Sequence, residues 1–403
     1  MRHRPPRLRL ALVALIGLLA LLAGCATFPD EGPRDWQEKT EGQGELGGPP
    51  SVQEAPGGEP GDEDGDSADP GAPQAPAGCD DPDPQVVATC LDPVGALAVL
   101  PNGVSALVGE RATGRVLRVE RGRDPVLITT VPVDAAGGGG LTGLVLSPTY
   151  QEDQLVYAYA TTPEDNRVLR LAPNEPPKPV LTGIPKGSSG NGGALGTDAG
   201  NTLLVATGNA GDPAPAPTAL NGKVLRIDTL GRPAAANPDP GSPVLSTGLS
   251  QPGGICTDST NESVWVTDRA TSRDVLYRVA PGPLGPAAWT WPDRPGVAGC
   301  MAQPGVVAVA LTGGAALSVL RPADDGSFSG APETLLADVY GRLAAATLGS
   351  DGLLWLGTVN RSGGRPVASD DRVIRIQPPS GGRSRSWSPS PTPGPAPRRS
   401  ATA

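Results

Sequence analysis

Histidine is nearly missing from this sequence. The only one in 403 residues is His3, so a folded part downstream has no imidazole for a Ser-His-Asp triad, a His-ligated metal or a His-assisted proton transfer. No cysteines stand at CxxC or zinc-site spacing, which excludes a zinc module. No segment keeps a sustained helical period, which argues against an α/β chain. The apolar run from Leu10 to Ala23 has fourteen residues, whereas a membrane-spanning helix needs about twenty. Lysine is scarce beside Arg, Ala, Gly and Pro, a mark of a GC-rich genome with no bearing on mechanism. A basic excess is lacking too: the formal net charge is −10, and nucleic acid needs a basic footprint.

What is present begins with a targeting segment. Arg2, Arg4, Arg7 and Arg9 precede the apolar run, no acid accompanies them, and the run ends at Leu22-Ala23-Gly24-Cys25. That is the plan of a secretory signal peptide, and its end is similar to the lipobox of bacterial lipoproteins, whose thiol receives a diacylglyceryl group before cleavage. Residues 1–24, His3 among them, are expected to leave as a signal peptide. Cys25 is expected to carry diacylglycerol and palmitate and to hold the chain on the outer face of the cell membrane, since several acyl chains anchor stably where one does not.

Loss of four arginines moves the charge to −14 (−10 − 4). Residues 26–84 hold sixteen acids against Arg34 and Lys39, a net of −14, so residues 85–403 sum to zero. Residues 25–84, acidic and rich in Gly and Pro, have too little aliphatic content to fold. They are expected to be a disordered linker of roughly 45 Å root-mean-square span, repelled by anionic headgroups. Residues 377–403 read as a disordered Pro/Ser/Arg tail. Residues 85–376 suffice for one large domain, expected to be a monomer. With Cys25 lipidated, Cys79, Cys90, Cys256 and Cys300 remain, and export permits disulfides. Of three connectivities, Cys79 to Cys90 with Cys256 to Cys300 is favoured, because the first pair closes a short loop at the start of the domain.

The domain repeats itself. Small-residue and aliphatic segments begin at Gly95 (GALAVL), Thr142 (TGLVLS), Gly193 (GALGTD), Gly253 (GGICTD), Ala298 (AGCMAQ) and Ala344 (AAATLG). Each is followed by a second aliphatic segment, such as LVYAYAT or VVAVAL, and a third such as RVLRV or KVLRI. All are strand-length, β-rich and bounded by Gly, Pro, Asn or Asp. A period of about 40 to 50 residues with four short strands marks a propeller blade, since a lone four-stranded sheet must stack on neighbours to bury its faces. Six copies predict an all-β, six-bladed propeller in preference to a β-sandwich. The arginine repeated in the third strands (Arg118, Arg170, Arg226, Arg278, Arg321, Arg375) is expected to be structural, pairing with an acid or carbonyl of the adjacent blade.

Three stretches carry a resemblance: Gly137 to Leu171, Gly190 to Pro213 (GNGGALGTDAGNTLLVATGNAGDP) and Leu220 to Pro238 (LNGKVLRIDTLGRPAAANP). They resemble the soluble quinoprotein glucose/sorbosone dehydrogenases, six-bladed propellers. The resemblance implies pyrroloquinoline quinone (PQQ), calcium and hydride transfer from a sugar to the quinone with a histidine base. The lipobox, the linker, the paired cysteines, LTGIPKG (Leu181 to Gly187) and WTWPDRPGVAGC (Trp289 to Cys300) are also similar to the LppZ-type lipoproteins of actinobacteria.

The chemistry of the resemblance does not carry over. The family's HNGGRL-like pattern is here Gly190-Asn191-Gly192-Gly193-Ala194-Leu195, so Gly190 occupies the base position. The orienting acid is Asn209, in ATGNAGDP, although Asp212 and Pro213 remain. A GHRNPQG-like loop becomes Gly248 to Gly254, with Leu249 and Ser250 for His-Arg. A general base supplies about 10² to 10⁴ in rate, and its loss with its supporting groups predicts no catalytic residue, no cofactor and a degenerate enzyme. What survives is a polar rim, Asn191, Asn209, Asp212, Asp268, Arg269, Asn360 and Arg361, able to meet a polyol or an anionic glycan, though each residue singly also suits a turn. A carbohydrate or an envelope protein is the expected partner. Two rivals stand beside this binder: a PQQ- and calcium-dependent sugar dehydrogenase with a displaced base, and a calcium-dependent lactonase-like hydrolase using Asp212, Asn209 and Asp268.

Overall fold

A computed structural model of the chain describes residues 78–323, 327–328 and 330–381. The expected signal peptide, Cys25, linker residues 25–77 and tail residues 382–403 lie outside the described residues. Segments such as Val156–Thr161 and Val306–Leu311 are buried at every position. Continuous apolar runs of this kind belong to strands covered on both faces.

Six sheets result, antiparallel throughout except that the third carries a short fifth strand, Gly282–Pro283, paired in parallel with Val244–Thr247. Their first strands are Val94–Val99, Leu141–Leu146, Gly193–Thr197, Pro252–Asp258, Val297–Gln303 and Leu343–Leu348, each starting within one residue of the repeat read from the sequence. Each first strand lies against the next, and the sixth lies against the first. The ring therefore closes into a six-bladed β-propeller, with blades I to VI in chain order.

The first strands are small-residue strands because they crowd the axis. A Cβ on Gly254 in blade IV would lie 2.7 Å from the Gly299 Cα in blade V, and one on Gly299 would strike the Ala346 backbone in blade VI. Cys256 and Cys300 are bridged across the same seam, and Cys79 is bridged to Cys90, the connectivity favoured from the spacing. The apolar cores lie between blades. Tyr157, Tyr159 and Val168 of blade II, for instance, pack with Leu203, Val205 and Leu225 of blade III.

The sixth blade has only three strands of its own after residue 343: Leu343–Leu348, Leu354–Thr358 and Val373–Ile376. Its fourth is Val86–Ala88 from the start of the domain, paired antiparallel with Val373–Ile376. One sheet thus holds both ends of the propeller and leaves no seam open. The folded part also starts before the expected residue 85. Asp81 accepts an ion pair from Arg372 at 3.1 Å, and the Tyr340 hydroxyl donates to Asp83 at 2.6 Å. At the other end Gln303 donates to the Pro379 carbonyl, so residues 78–84 and 377–381 pack on the domain rather than belonging to linker and tail.

The repeated arginines are structural, but their partners differ from the expected ones. Arg118 meets Glu120, Arg170 meets Glu175, Arg226 meets Asp198, Arg321 meets Glu333 and Arg375 meets Asp351, while Arg278 bonds the Ser263 hydroxyl. Every partner is in the same blade. The reason is geometric: the third strand sits two strands out from the axis, and the acids it meets are on the strands and hairpins of its own sheet.

Candidate functional site

The first strands enter the ring at one end, here the upper end. Second-to-third-strand turns and inter-blade connections gather there; of the seven rim residues named from the sequence, five lie on them, and Asp268 and Arg269 are the upper end of the strand Ser263–Arg269. Loops at one end of a rigid scaffold are where propellers place function. The structure separates these seven residues by what each already bonds.

Asn191 is fully buried. Its Oδ1 accepts from the Gly187 amide at 2.8 Å, and its Nδ2 donates to the Gly187 and Ala136 carbonyls. Asn360 is also spent on the fold, donating to the Tyr340 carbonyl and Asp370 and accepting from the Arg342 amide. Asn209 and Asp212 cap turns through the Gly211 and Ala214 amides. The Arg361 side chain is exposed. Asp268 is buried, and its carboxylate accepts from the Ser250 and Gln251 amides, the latter at 2.6 Å. Burial pushes this carboxyl up to about 6, against the opposing pull of those two amides.

Gly190, at the base position, has a φ of +65°, and a Cβ there would lie 2.6 Å from the Asn209 Oδ1 and 3.1 Å from the Ala210 and Gly211 amides. A side chain would be strained by backbone conformation and blocked by the turn that Asn209 caps. At Gly190 the backbone conformation and the Asn209 turn together disfavour any side chain.

Of the seven, Arg269 lines the cavity at the upper mouth, a space of about 180 Å³ whose other charged walls are Arg111 and Arg342. Gln251, Thr142, Thr312, Ser362 and glycine backbone complete it. Below lies a neck of about 50 Å³ between the first strands. The lower mouth widens to about 620 Å³ and is lined by Leu, Val, Ala, Ser, Thr and the Cys256–Cys300 bridge, with no charged side chain.

Arg111 and Arg342 were not singled out from the sequence. Arg111 follows Glu110 as Arg269 follows Asp268, and the two doublets occupy equivalent places, with Val94 opposite Glu110 in blade I and Pro252 opposite Asp268 in blade IV. That repeated acid-Arg doublet was the available signal. Blades I and IV are three apart and so face each other across the channel. In blade I the acid is neutralised. Burial pushes Glu110 up, but bonds from Arg115, Thr113 and the Asp92 amide outweigh it and hold the carboxyl below its ordinary range. Arg111 is left to donate to the Gly139 and Ala135 carbonyls. Arg342 reaches the cavity from the connection before blade VI, a position that no other blade repeats.

None of these three arginines has a carboxylate within ion-pair distance among the described residues, and the Nε atoms of Arg269 and Arg342 are shut from solvent without a hydrogen-bond partner. Burial lowers the pKa of Arg111 and of Arg269. Asp274, near Arg269, is committed to the Gly296 and Val297 amides. No three His, Cys, Asp or Glu side chains gather to hold a metal among the described residues.

The family model for glucose/sorbosone dehydrogenases matches residues 91–292. Among solved structures, the PQQ-bound form of an aldose sugar dehydrogenase from Streptomyces coelicolor is 31% identical, with a TM-score of 0.68 over 73% of this chain and 96% of that one. A protein of Thermus thermophilus, assigned as an oxidoreductase (glucose dehydrogenase), is 29% identical with a TM-score of 0.67 over 72% and 98%. A soluble aldose sugar dehydrogenase of Escherichia coli in its apo form shares the fold at 18% identity and a TM-score of 0.63, over 73% and 99%. None of the curated proteins matches the sequence.

Proposed function

The chain belongs to the glucose/sorbosone dehydrogenase family, and we propose that it is a member that binds at the upper mouth of its channel without carrying out hydride transfer. The observation that carries this reading is Gly190. The position that resembles the family's base holds a left-handed glycine whose side-chain space is occupied by the Asn209 turn. Without a proton acceptor, oxidation of a sugar alcohol loses a large part of its rate.

The calcium named by the resemblance does not suit the residues present; the quinone's carboxylates are matched in charge by the three arginines, and only the size of the cavity stands against it. Three guanidiniums around a small cavity repel a divalent cation. Asp212 and Asp268, the acids put forward as ligands, are on an exposed turn and a buried strand end, each committed to backbone amides. The same placement removes support from a calcium-dependent lactonase. The cavity of about 180 Å³ is also below the roughly 300 to 1,000 Å³ of pockets for larger ligands.

We place this binder on the outer face of the cell membrane, held by lipid on Cys25 as in the LppZ-type lipoproteins, on the strength of the arginine-led apolar run and the Leu22 to Cys25 site. Fractionation of cells expressing the parent chain or Cys25→Ala tests the anchor. Loss of the chain from the membrane fraction is expected for the variant.

One observation favours a second reading, a dehydrogenase with a displaced base. Asp268 at the upper rim has a carboxyl pushed up to about 6, in the range useful to a general base. The decisive measurement is dye reduction by the purified chain, loaded with calcium and PQQ, across a panel of aldoses. No cofactor-dependent turnover is expected, either from the parent or from Gly190→His, whose new side chain has no room. Turnover that vanishes when the quinone is omitted would overturn the proposal.

A further inference from the structure

We infer that the upper mouth is a built site for one oxyanion, a carboxylate or phosphate group, gripped jointly by Arg111, Arg269 and Arg342. The inference deepens the binding role proposed above and rests on it.

Charge bookkeeping comes first. The cavity wall carries three guanidiniums and no acid. The closest carboxylates are withdrawn: Glu110 is held by Arg115, Asp268 by the Ser250 and Gln251 amides, and Asp274 by the Gly296 and Val297 amides. Arginine is not short of partners elsewhere. Arg170 and Arg321 also leave an Nε without a hydrogen bond, yet each has a carboxylate within 4 Å, and the Arg375 Nε lies 2.9 Å from Asp351. Among the described residues, only at the upper mouth do half-buried arginines converge on a space instead of an acid. Unpaired buried donors are costly and rare in native folds, so the unbonded Nε atoms of Arg269 and Arg342, beside an Arg111 whose only partners are the neutral Gly139 and Ala135 carbonyls, imply a missing acceptor.

Geometry then limits the acceptor. Arg111 and Arg269 come from opposite blades and Arg342 from a blade beside the first, so the donors approach from several sides. That arrangement suits an oxyanion with two or three acceptor atoms, which the guanidinium fork matches. Side-chain hydroxyls of Thr142, Thr312 and Ser362 lie on the same wall, next to the glycine-lined surface at Gly138, Gly192 and Gly253, where a sugar-sized body could rest against backbone. The narrow neck beneath stops deeper entry.

Calorimetric titration of the full chain in detergent, at low salt and neutral pH, tests this with four probes: glucose, glucuronate, glucose 6-phosphate and inorganic phosphate. The anionic probes are expected to bind, and glucose to bind at least about tenfold more weakly. Inorganic phosphate as tight as glucose 6-phosphate would identify the free ion as ligand, and tighter binding of the sugar acids would identify an anionic group delivered on a sugar; either supports the site. Arg269→Gln and Arg342→Gln are each expected to weaken anion binding by about tenfold or more, and Arg123→Gln, at an exposed position on the opposite end, to leave it unchanged. Thermal melts report whether each variant folds, and Arg269→Lys, which keeps the charge, is expected to retain part of the affinity if the Gln variant does not fold. Glucose binding as tightly as glucuronate, or folded Arg variants with unchanged affinity, would overturn the inference while leaving a neutral-ligand binder standing. Quinone-dependent turnover in the separate dye assay would remove the binding role itself.

Discussion

At the lower end of the blades, the repeated third-strand arginines are held within their own sheets, five by a carboxylate and one by a serine hydroxyl. At the upper end, Arg111 and Arg269 stand at equivalent places in two opposite blades only, Arg342 recurs in none, and the three line one small cavity with no acid on its wall. The cavities differ in the opposite sense: the lower mouth is the larger, and it is apolar, uncharged and crossed by a disulfide. Size alone would direct attention to the wrong end. The charge state of the wall separates an opening left by packing from one whose polar groups still need a partner.

The sharpest way to break this comparison is to damage the lower end. Cys256 and Cys300 are 44 residues apart in sequence and join the first strands of blades IV and V. A bridge over a loop of that length contributes about 2 to 4 kcal/mol, chiefly by restricting the unfolded chain. Replacing both cysteines by alanine should lower stability by about that amount in denaturant titration. Anion titration of the folded variant should be unchanged. A loss of anion affinity in a protein that remains folded would mean that the two ends are coupled and that the lower mouth is not merely scaffold.

Much of the scaffold was legible because it is repetitive. Starts such as Gly95, Ala298 and Ala344 identify first strands within a residue, since close packing at the axis demands small side chains in every copy. The closure of blade VI by Val86–Ala88 was not legible, because that strand carries no repeat of its own and is defined only by the edge it fills. The rim was half legible. Asn191 and Asn360 fall at the correct end, but a polar residue in a loop looks alike whether it bonds a ligand or, as they do, the backbone behind it. Arg269 was found, whereas Arg111 was missed although the same acid-Arg doublet marks it; that its partner Glu110 is neutralised by Arg115 appears only in the structure.

A smaller effect sharpens the contrast from the upper end. Burial holds the Asp268 carboxyl up at about 6, against about 3.9 for an unperturbed aspartate. For a group raised on folding, the stabilising contribution is full below the unfolded value and disappears as pH climbs through the folded value. The parent chain should therefore gain stability relative to Asp268→Asn as pH falls from about 6 to about 4, by something on the order of 2 kcal/mol. Paired thermal melts across that window check it, and a difference that stays flat or changes the other way would contradict the assigned burial. Loss of the negative charge beside Arg269 should also raise anion affinity over the same interval.

The smallest expected effect tests the arginines of the lower end. Arg321 lies 2.8 Å from Glu333, with the two side chains 30% and 46% exposed. Water screens such a pair, and ordering two long side chains offsets most of its attraction, so exposed pairs contribute about 0 to 1 kcal/mol. Arg321→Ala should cost no more than that in denaturant titration, should weaken further in its effect at high salt, and should leave anion binding untouched. Arg269→Gln removes the same charge and should show the reverse profile, with a large change in anion affinity. Its melting temperature should hold or rise, because an unpaired buried cation is relieved. If both substitutions acted alike, the distinction between paired and unpaired arginines would have no functional content.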